Sequence, residues 1–143
     1  MGTLRILLAD DHTVVRQGLR KVLEERPDWK VVAEAGDGRE AVRQAEQLKP
    51  DVAILDVAMP LLNGIEATRQ IVKHAPGVRV LVLSMHADEA YVTQILQAGA
   101  AGYLLKDSAD VDLLQAVTAI SEGKSFFSPA IAQIGRASCR ERV

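Results

Sequence analysis

Five apolar runs with the composition of β-strands alternate with five segments of helical period, and this alternation restricts the fold more than any other feature of the chain. The apolar runs comprise residues 4–9, 30–35, 52–55, 78–83 and 102–105. Repeated β–α units require parallel strands joined by right-handed crossovers, and nearly continuous apolar strands indicate burial on both faces. The sequence therefore predicts a three-layer, doubly wound α/β fold in which helices cover both faces of a five-stranded parallel sheet.

The helical segments carry apolar residues that recur on one face. In the first segment these residues follow the spacing i, i+4, i+7 and i+8 of an amphipathic helix, namely Val15, Leu19, Val22 and Leu23. Asp88 and Ser108 precede the fourth and fifth segments and are predicted to be N-caps, because short polar side chains accept hydrogen bonds from the first N–H groups of a helix.

Composition excludes several function classes. A length of 143 residues suits one domain, and no stretch approaches the roughly 18 apolar residues of a membrane helix. A net charge of −2, with one Trp, two Tyr and two Phe, favours neither a nucleic-acid surface nor a base-stacking platform. The single cysteine, Cys139, cannot form an intrachain disulfide, and the N-terminus lacks the pattern of a signal peptide, so we expect a cytoplasmic location.

Chemically reactive side chains follow four of the five apolar runs: Asp10 and Asp11 the first, Asp56 the third, Ser84 the fourth and Lys106 the fifth. Each of these residues alone has an ordinary explanation as a helix cap, a turn residue or a solvated charge. A parallel sheet, however, gathers the carboxyl ends of its strands at one edge, where ligands of open α/β folds bind. The pattern therefore predicts one site.

Three neighbouring carboxylates repel one another unless they are protonated, paired with a cation or bound to metal. A hard divalent ion, Mg²⁺ or Mn²⁺, suits oxygen ligands of this kind. A metal, the Lys106 ammonium and the Ser84 hydroxyl around a carboxylate would form a phosphoryl-transfer site, because that reaction depends mainly on positioning and charge neutralisation. Asp56 is then the predicted nucleophile.

These motifs as a set resemble the receiver domain of two-component response regulators over residues 4 to 122. The matching motifs are Asp10-Asp11, residues 54–60, Asn63-Gly64, Leu83-Ser84 and residues 102–106. Residues 102–107 and 122–129 are similar, more narrowly, to the NarL/FixJ (LuxR-type) transcription factors. The resemblance implies a flavodoxin-like sheet with strand order 2-1-3-4-5.

The resemblance also implies a role for each site residue. Asp56 would accept a phosphoryl group, and Asp11, Asp56 and the backbone carbonyl of Ala58 would ligate Mg²⁺, with Asp10 as a secondary ligand or one acting through water. Lys106 would pair with the phosphate.

Ser84 would donate to a phosphate oxygen, and Tyr103 would follow it inward as the switch aromatic. The alternative for Tyr103 is a half-buried strand residue with its hydroxyl in solvent.

By the same resemblance the chain is a phosphoacceptor of phosphorelay signal transduction and not an enzyme, apart from its own phosphorylation and autodephosphorylation. Its partners would be a sensor histidine kinase and a second copy, through a phosphorylation-dependent dimer contact involving helix five at residues 113–120.

Residues 1–122 would form the receiver domain, and residues 123–134 would begin a linker. The linker would lead to a DNA-binding, helix-turn-helix domain that regulates transcription, and we expect 143 residues to leave no room for that domain. Residues 135–143, with three Arg and one Glu, read as a cloning or vector tail, or alternatively a basic natural one.

Several positions depart from the common pattern or give weaker signals. Lys106 is followed by Asp107 rather than by the proline common in receivers, and Asn63 replaces an acidic residue, which we interpret as a helix-start variation. Ala58 and His86 occupy positions that influence phosphate lifetime in receivers. His12 is interpreted as a helix-entry residue rather than a metal ligand.

Three other functions compete with this interpretation. An aspartate-nucleophile phosphohydrolase would need an acid/base Asp where Ala58 stands. A flavin or nucleotide module would need a Gly-rich or Ser/Thr-rich loop after the first strand, where this chain is acidic. A degenerate receiver acting only as a binding module would be expected to lack site residues that this chain retains.

Overall fold

The computed structural model describes residues 3–59, 61–85 and 89–127, with the exception of the side chains of Glu89, Ser108 and Asp110. The predicted N-cap side chains of Asp88 and Ser108, the residue His86 and the predicted tail at 135–143 therefore lie outside the described residues.

Strands and helices alternate along the chain as the periodicity predicts. They are β1 Leu4–Ala9, α1 Thr13–Leu23, β2 Trp29–Ala35, α2 Gly38–Leu48, β3 Val52–Asp56, α3 Gly64–His74, β4 Arg79–Ser84, α4 Glu89–Ala98, β5 Gly102–Leu105, α5 Ala109–Ser121 and β6 Phe126–Phe127. A 3₁₀ turn, Lys106–Ser108, joins β5 to α5. The strands form a parallel sheet in the order β2-β1-β3-β4-β5-β6, which confirms the predicted order of the first five.

The sheet differs from the prediction by its sixth strand, β6, which pairs with β5 inside the segment expected to begin a linker. Gly102 permits this pairing, because a Cβ at that position would lie 2.6 Å from the carbonyl oxygen of Phe126. A two-residue strand with half-buried phenylalanines gives no periodic signal in the sequence, so the pattern could not reveal it.

Two apolar layers hold the helices against the sheet. Helices α1 and α5 pack together on one face, over a core that includes Ile6, Ile54 and Leu104. Helices α2, α3 and α4 pack on the other face, over a core that includes Leu7 and Leu55. Successive strand residues thus point into opposite cores, which explains why the strands are apolar without alternation.

The apolar side of α5 belongs to the core on the face of the sheet that α1 and α5 cover. Leu113, Val117 and Ile120, on which the predicted dimer contact rested, are fully buried within the domain. The apolar residue that α5 exposes is Val111, at 76%. Most of the apolar surplus in helix five therefore packs inside the domain, while Val111 is exposed and Leu114 is half-buried.

Side-chain caps fix the starts of two helices near the carboxyl edge of the sheet. Asn63 caps α3, since its Oδ1 accepts a hydrogen bond of 3.0 Å from the backbone N–H of Glu66, and Asp37 caps α2 in the same manner through Glu40. This confirms the interpretation of Asn63 as a helix-start residue. Within the described ranges, no helix has the length and apolar character needed to cross a bilayer.

Candidate functional site

The strand register brings the predicted groups to one edge of the sheet. Ala9 is level with Leu55, so Asp10 follows β1 beside Asp56, the last residue of β3. Ser84, the last residue of β4, is level with Leu105, and Lys106 follows directly. Because all these strands are parallel, their carboxyl ends form a single row of polar groups, as the sequence predicts.

Asp56 lies at the centre of the row and is nearly buried, with 2% of its surface exposed. Its Oδ2 accepts a hydrogen bond of 2.9 Å from Lys106 Nζ, and its Oδ1 accepts one of 3.2 Å from the backbone N–H of Ala58. Burial raises the pKa of Asp56 and outweighs these hydrogen bonds and the Lys106 charge, which lower it. The fold therefore holds this carboxylate in an environment that opposes its charge.

Lys106 is the cation of the row. Its Nζ also lies 3.4 Å from Oδ2 of Asp10. Burial by itself would lower the pKa of Lys106, but the carboxylates of Asp56 and Asp10 together raise it above its ordinary value. Lys106 thus stays charged at neutral pH, and a single ammonium serves two buried carboxylates.

Asp10 is fully buried and only partly satisfied. Its Oδ1 accepts a hydrogen bond of 2.8 Å from the backbone N–H of His12, whereas its Oδ2 accepts no hydrogen bond from the described residues. A buried carboxylate oxygen without a donor is costly unless a cation approaches it. The cation nearest to this oxygen is the Lys106 ammonium at 3.4 Å, which Asp10 shares with Asp56, so the oxygen keeps capacity for a further positive group.

The donor set fits a divalent cation. One ligand atom each from Asp10, Asp11, His12 and Asp56 can be chosen so that all lie within 4.8 Å of one another. Three carboxylates face the one ammonium of Lys106, so negative charge remains in excess, and hard divalent ions prefer carboxylate oxygens. The arrangement suits Mg²⁺ or Mn²⁺.

His12 stands where the sequence predicts, at the N-cap of α1, but its side chain makes no capping hydrogen bond. The imidazole instead lies beside the carboxylates, with Nδ1 3.1 Å from Oδ1 of Asp11. The sequence offered a signal for this position, since His12 directly follows the acidic pair.

A cavity of about 310 Å³ opens onto Asp56. Its lining combines predicted residues with others that sequence reasoning did not select: His12, Asp56, Val57, Ala58, Asn63, Ile65, Ser84, Met85, Tyr91 and Lys106. Tyr91 and Met85 belong to the second group. Tyr91 lies in the first turn of α4, and its place in the wall depends on how α4 packs on the sheet, which local periodicity does not determine.

Arg16 is a further residue that sequence reasoning missed. Its Nη1 donates to the backbone carbonyl of Asp10, and its Nε donates to Oε1 of Glu34 at 3.0 Å. The guanidinium thereby ties the loop after β1 to the neighbouring strand β2. It positions the acidic pair without belonging to the row of strand-end groups.

The segment after Asp56 approaches the sheet closely at Gly64. A Cβ on Gly64 would lie 2.5 Å from the backbone oxygen of Asp56, and its N–H donates a 2.9 Å hydrogen bond to the carbonyl of Val57. Only glycine allows α3 to begin this close to the central carboxylate. The Lys106–Asp107 peptide at the other side of the site is trans.

Tyr103 lies apart from the cavity wall. It is fully buried, at 0% exposure, in the core between the sheet and helices α2, α3 and α4. The alternative of a half-buried strand tyrosine with its hydroxyl in solvent is therefore wrong. Ser84, one strand away, is also buried, at 1%.

Comparison with known proteins gives consistent matches. Residues 6–118 match the family model described as the response regulator receiver domain. The chain is 42% identical over 128 residues to the transcriptional regulatory protein DegU of Brevibacillus brevis, a match that covers 90% of this chain but only 54% of that protein.

Two solved structures share the fold over nearly the whole chain. A two-component response regulator of the LuxR family from Aurantimonas sp. SI85-9A1 superposes with a TM-score of 0.90 at 42% identity, covering 96% of this chain and 99% of the other. The isolated receiver domain of RcsB from Salmonella enterica serovar Typhimurium, solved with the phosphomimetic BeF₃⁻, gives a TM-score of 0.85 at 30% identity and covers 93% and 99%.

Proposed function

Since the chain belongs to the response regulator receiver domains, a family of signalling domains, we propose that Asp56 accepts a phosphoryl group from a phosphohistidine of a sensor histidine kinase. The observation that carries this proposal is the position of Asp56, whose Oδ2 lies 2.9 Å from Lys106 Nζ at a cavity that Ser84 also lines. A nucleophilic carboxylate, a fixed ammonium and a hydroxyl at one opening are the groups that phosphoryl transfer requires.

The proposed step forms a bond between a carboxylate oxygen of Asp56 and phosphorus while the phosphorus–nitrogen bond of the donor breaks. The electron pair of that bond returns to the imidazole nitrogen, and an acyl phosphate results. Lys106 neutralises charge on the transferred group, and Ser84 donates to one of its oxygens. Because the domain supplies these groups itself, it would promote its own phosphorylation, including from small acyl phosphates, and its own dephosphorylation.

Asp11 and Asp56, with the backbone carbonyl of Ala58, would hold Mg²⁺ or Mn²⁺, and Asp10 would act as a secondary ligand. The ion, when bound, supplies positive charge that offsets the repulsion between the carboxylates and the incoming phosphoryl group. The close grouping of the ligand atoms supports this assignment, as does Oδ2 of Asp10, which is buried, accepts no hydrogen bond from the described residues and shares the one ammonium of Lys106 with Asp56.

Phosphorylation would act as a switch. It adds a charge of about −1.5 to −2 and three acceptor oxygens beside Ser84 and Lys106, and so favours the arrangement that contacts them best. Tyr103, buried at the level of Val82 on the neighbouring strand, would couple that arrangement to helix α4 and strand β5.

The chain spans about half the length of the curated relative DegU, at 54%. We therefore propose that residues 1–122 serve as the receiver domain of a longer transcription regulator, with residues 123–134 leading to a DNA-binding output domain. The proposed dimer would use the exposed side of α5, where Val111 and Gln115 lie, rather than the buried Leu113, Val117 and Ile120.

Incubation with acetyl phosphate and Mg²⁺, followed by intact-mass measurement, tests the central proposal. One added phosphate is expected on the wild-type protein and none on Asp56→Asn. Asp28→Asn, at an exposed turn, is the matched control and should be labelled like the wild type. An unchanged wild-type mass, or equal labelling of Asp56→Asn, would contradict the proposal.

A further inference from the structure

The imidazole of His12 lies within ligand distance of the acidic row. Its Nδ1 is 3.1 Å from Oδ1 of Asp11 and 3.5 Å from Oδ1 of Asp10, and 67% of the side chain is exposed. The backbone holds it there, because the His12 N–H donates a 2.8 Å hydrogen bond to Oδ1 of Asp10. As the imidazole does not cap α1, the helix does not explain its position.

These distances suit a shared metal ion. With bonds of about 2.1 Å, adjacent ligand atoms of an octahedral ion lie about 3.0 Å apart and opposite ones about 4.2 Å. The Asp11–His12 separation of 3.1 Å matches the distance between adjacent ligands. The largest separation in the group, at most 4.8 Å, is slightly longer than the distance between opposite ligands, and small side-chain movements would remove the difference.

A second observation also indicates a ligand at this place. Oδ2 of Asp10 is buried and accepts no hydrogen bond from the described residues, although the same carboxylate is held firmly through Oδ1. The group therefore combines an accessible imidazole nitrogen with a buried oxygen that accepts no hydrogen bond from the described residues and whose nearest cation, Lys106 Nζ at 3.4 Å, is shared with Asp56. Carboxylates alone favour Mg²⁺, whereas imidazole favours cobalt, nickel and zinc ions.

We propose that His12 adds a nitrogen ligand to the carboxylates of Asp10, Asp11 and Asp56, so that the site binds a divalent transition-metal ion of the Co²⁺, Ni²⁺ and Zn²⁺ class. The inference rests on the proposed function, because it assigns a second kind of occupant to the metal site of that function. Occupation by such an ion places His12 on the metal, at the mouth of the Asp56 cavity, and competes with Mg²⁺ for the same carboxylates.

Proton NMR of the Co²⁺-loaded protein tests the inference, because a histidine bound to Co²⁺ gives a strongly shifted, exchangeable ring N–H resonance. The sequence contains only three histidines, so each can be replaced in turn. The resonance is expected in the wild type and in His74→Ala, and should disappear in His12→Ala. His74, at the exposed end of α3, is the matched control. Loss of the resonance in His86→Ala with retention in His12→Ala would overturn the proposal.

Calorimetric titration of the metal-free proteins gives a second readout. The ratio of the Mg²⁺ and Co²⁺ dissociation constants should fall at least about tenfold in His12→Ala, as loss of a group that supports a metal typically costs 10- to 100-fold in affinity. An unchanged ratio contradicts the inference. Phosphorylation of the wild type with Mg²⁺ is measured separately. A protein that is phosphorylated but gives no His12 resonance would refute only the inference about His12. A protein that gives the resonance but is not phosphorylated would refute only the proposed function.

Discussion

Replacing Asp56 by asparagine should stabilise the metal-free domain, although it removes the proposed phosphoacceptor. The substitution keeps the shape of the side chain and removes one buried negative charge. We expect the free energy of unfolding to increase by about 1–3 kcal/mol, because the carboxylate is held among like charges in a nearly dry position.

The magnitude follows from the distances in the site. With an effective dielectric constant of about 20, attraction to Lys106 at 2.9 Å is worth about 6 kcal/mol. Repulsion from buried Asp10, with an oxygen within 4.8 Å, is worth at least about 3.5 kcal/mol, and exposed Asp11 adds a smaller amount because water screens it. Repulsion offsets more than half of the attraction, so the cost of burial decides the sign, in agreement with the raised pKa of Asp56, of which burial is the largest cause.

Thermal unfolding in the presence of a chelator measures this effect. The melting temperature of Asp56→Asn should exceed that of the wild type by about 3–9 °C, and that of Asp28→Asn should not. Added Mg²⁺ at about one hundred times its dissociation constant should stabilise the wild type by about 2.7 kcal/mol and the Asp56→Asn variant far less. Asp56→Asn melting at or below the wild-type temperature without metal would refute the reasoning.

Two further predictions concern packing and assembly. Gly64→Ala should destabilise the domain by about 1–3 kcal/mol in urea unfolding, because the new methyl group would meet the backbone of Asp56 at 2.5 Å. Gly77→Ala is the control, because there is open space around Gly77. Equal stability of the two variants would count against the close approach at Gly64. Val111→Glu should weaken the dimerisation that light scattering detects in the presence of beryllofluoride and Mg²⁺. Leu48→Glu, at an exposed position on α2, is the control and should leave dimerisation unchanged. Unchanged association of Val111→Glu would exclude the exposed side of α5 as the dimer contact.

The sheet and the row of strand-end groups were predictable because both follow from short sequence patterns. An apolar run such as residues 52–55 with a carboxylate directly after it determines both a buried strand and the location of Asp56. The same holds for Ser84 after β4 and Lys106 after β5. Parallel pairing converts these separate positions into one edge, so no knowledge of tertiary contacts was needed to bring them together.

Other parts of the site depend on contacts between distant segments and gave no such pattern. Arg16 faces the site only because α1 packs where its guanidinium reaches both the Asp10 carbonyl and Glu34 on β2. Tyr91 reaches the cavity only because of the position of α4 on the sheet. The buried state of Tyr103 likewise depends on α4, since a strand residue at this position can be exposed or covered according to the helix above it.

The balance of charges around Asp56 would also govern the proposed switch. To move a two-state equilibrium from 1:99 to 99:1, a ligand must favour one state by about 5.5 kcal/mol. The repulsion between Asp56 and Asp10, at least about 3.5 kcal/mol with a smaller addition from exposed Asp11, approaches that value, and Lys106 offsets it only while it contacts Asp56. A phosphoryl group or a divalent ion that engages Lys106 or the carboxylates changes this balance by several kcal/mol. In the proposed switch, the charge that makes the site unfavourable in isolation would therefore let its occupants select between arrangements of Ser84, Tyr103 and helix α4.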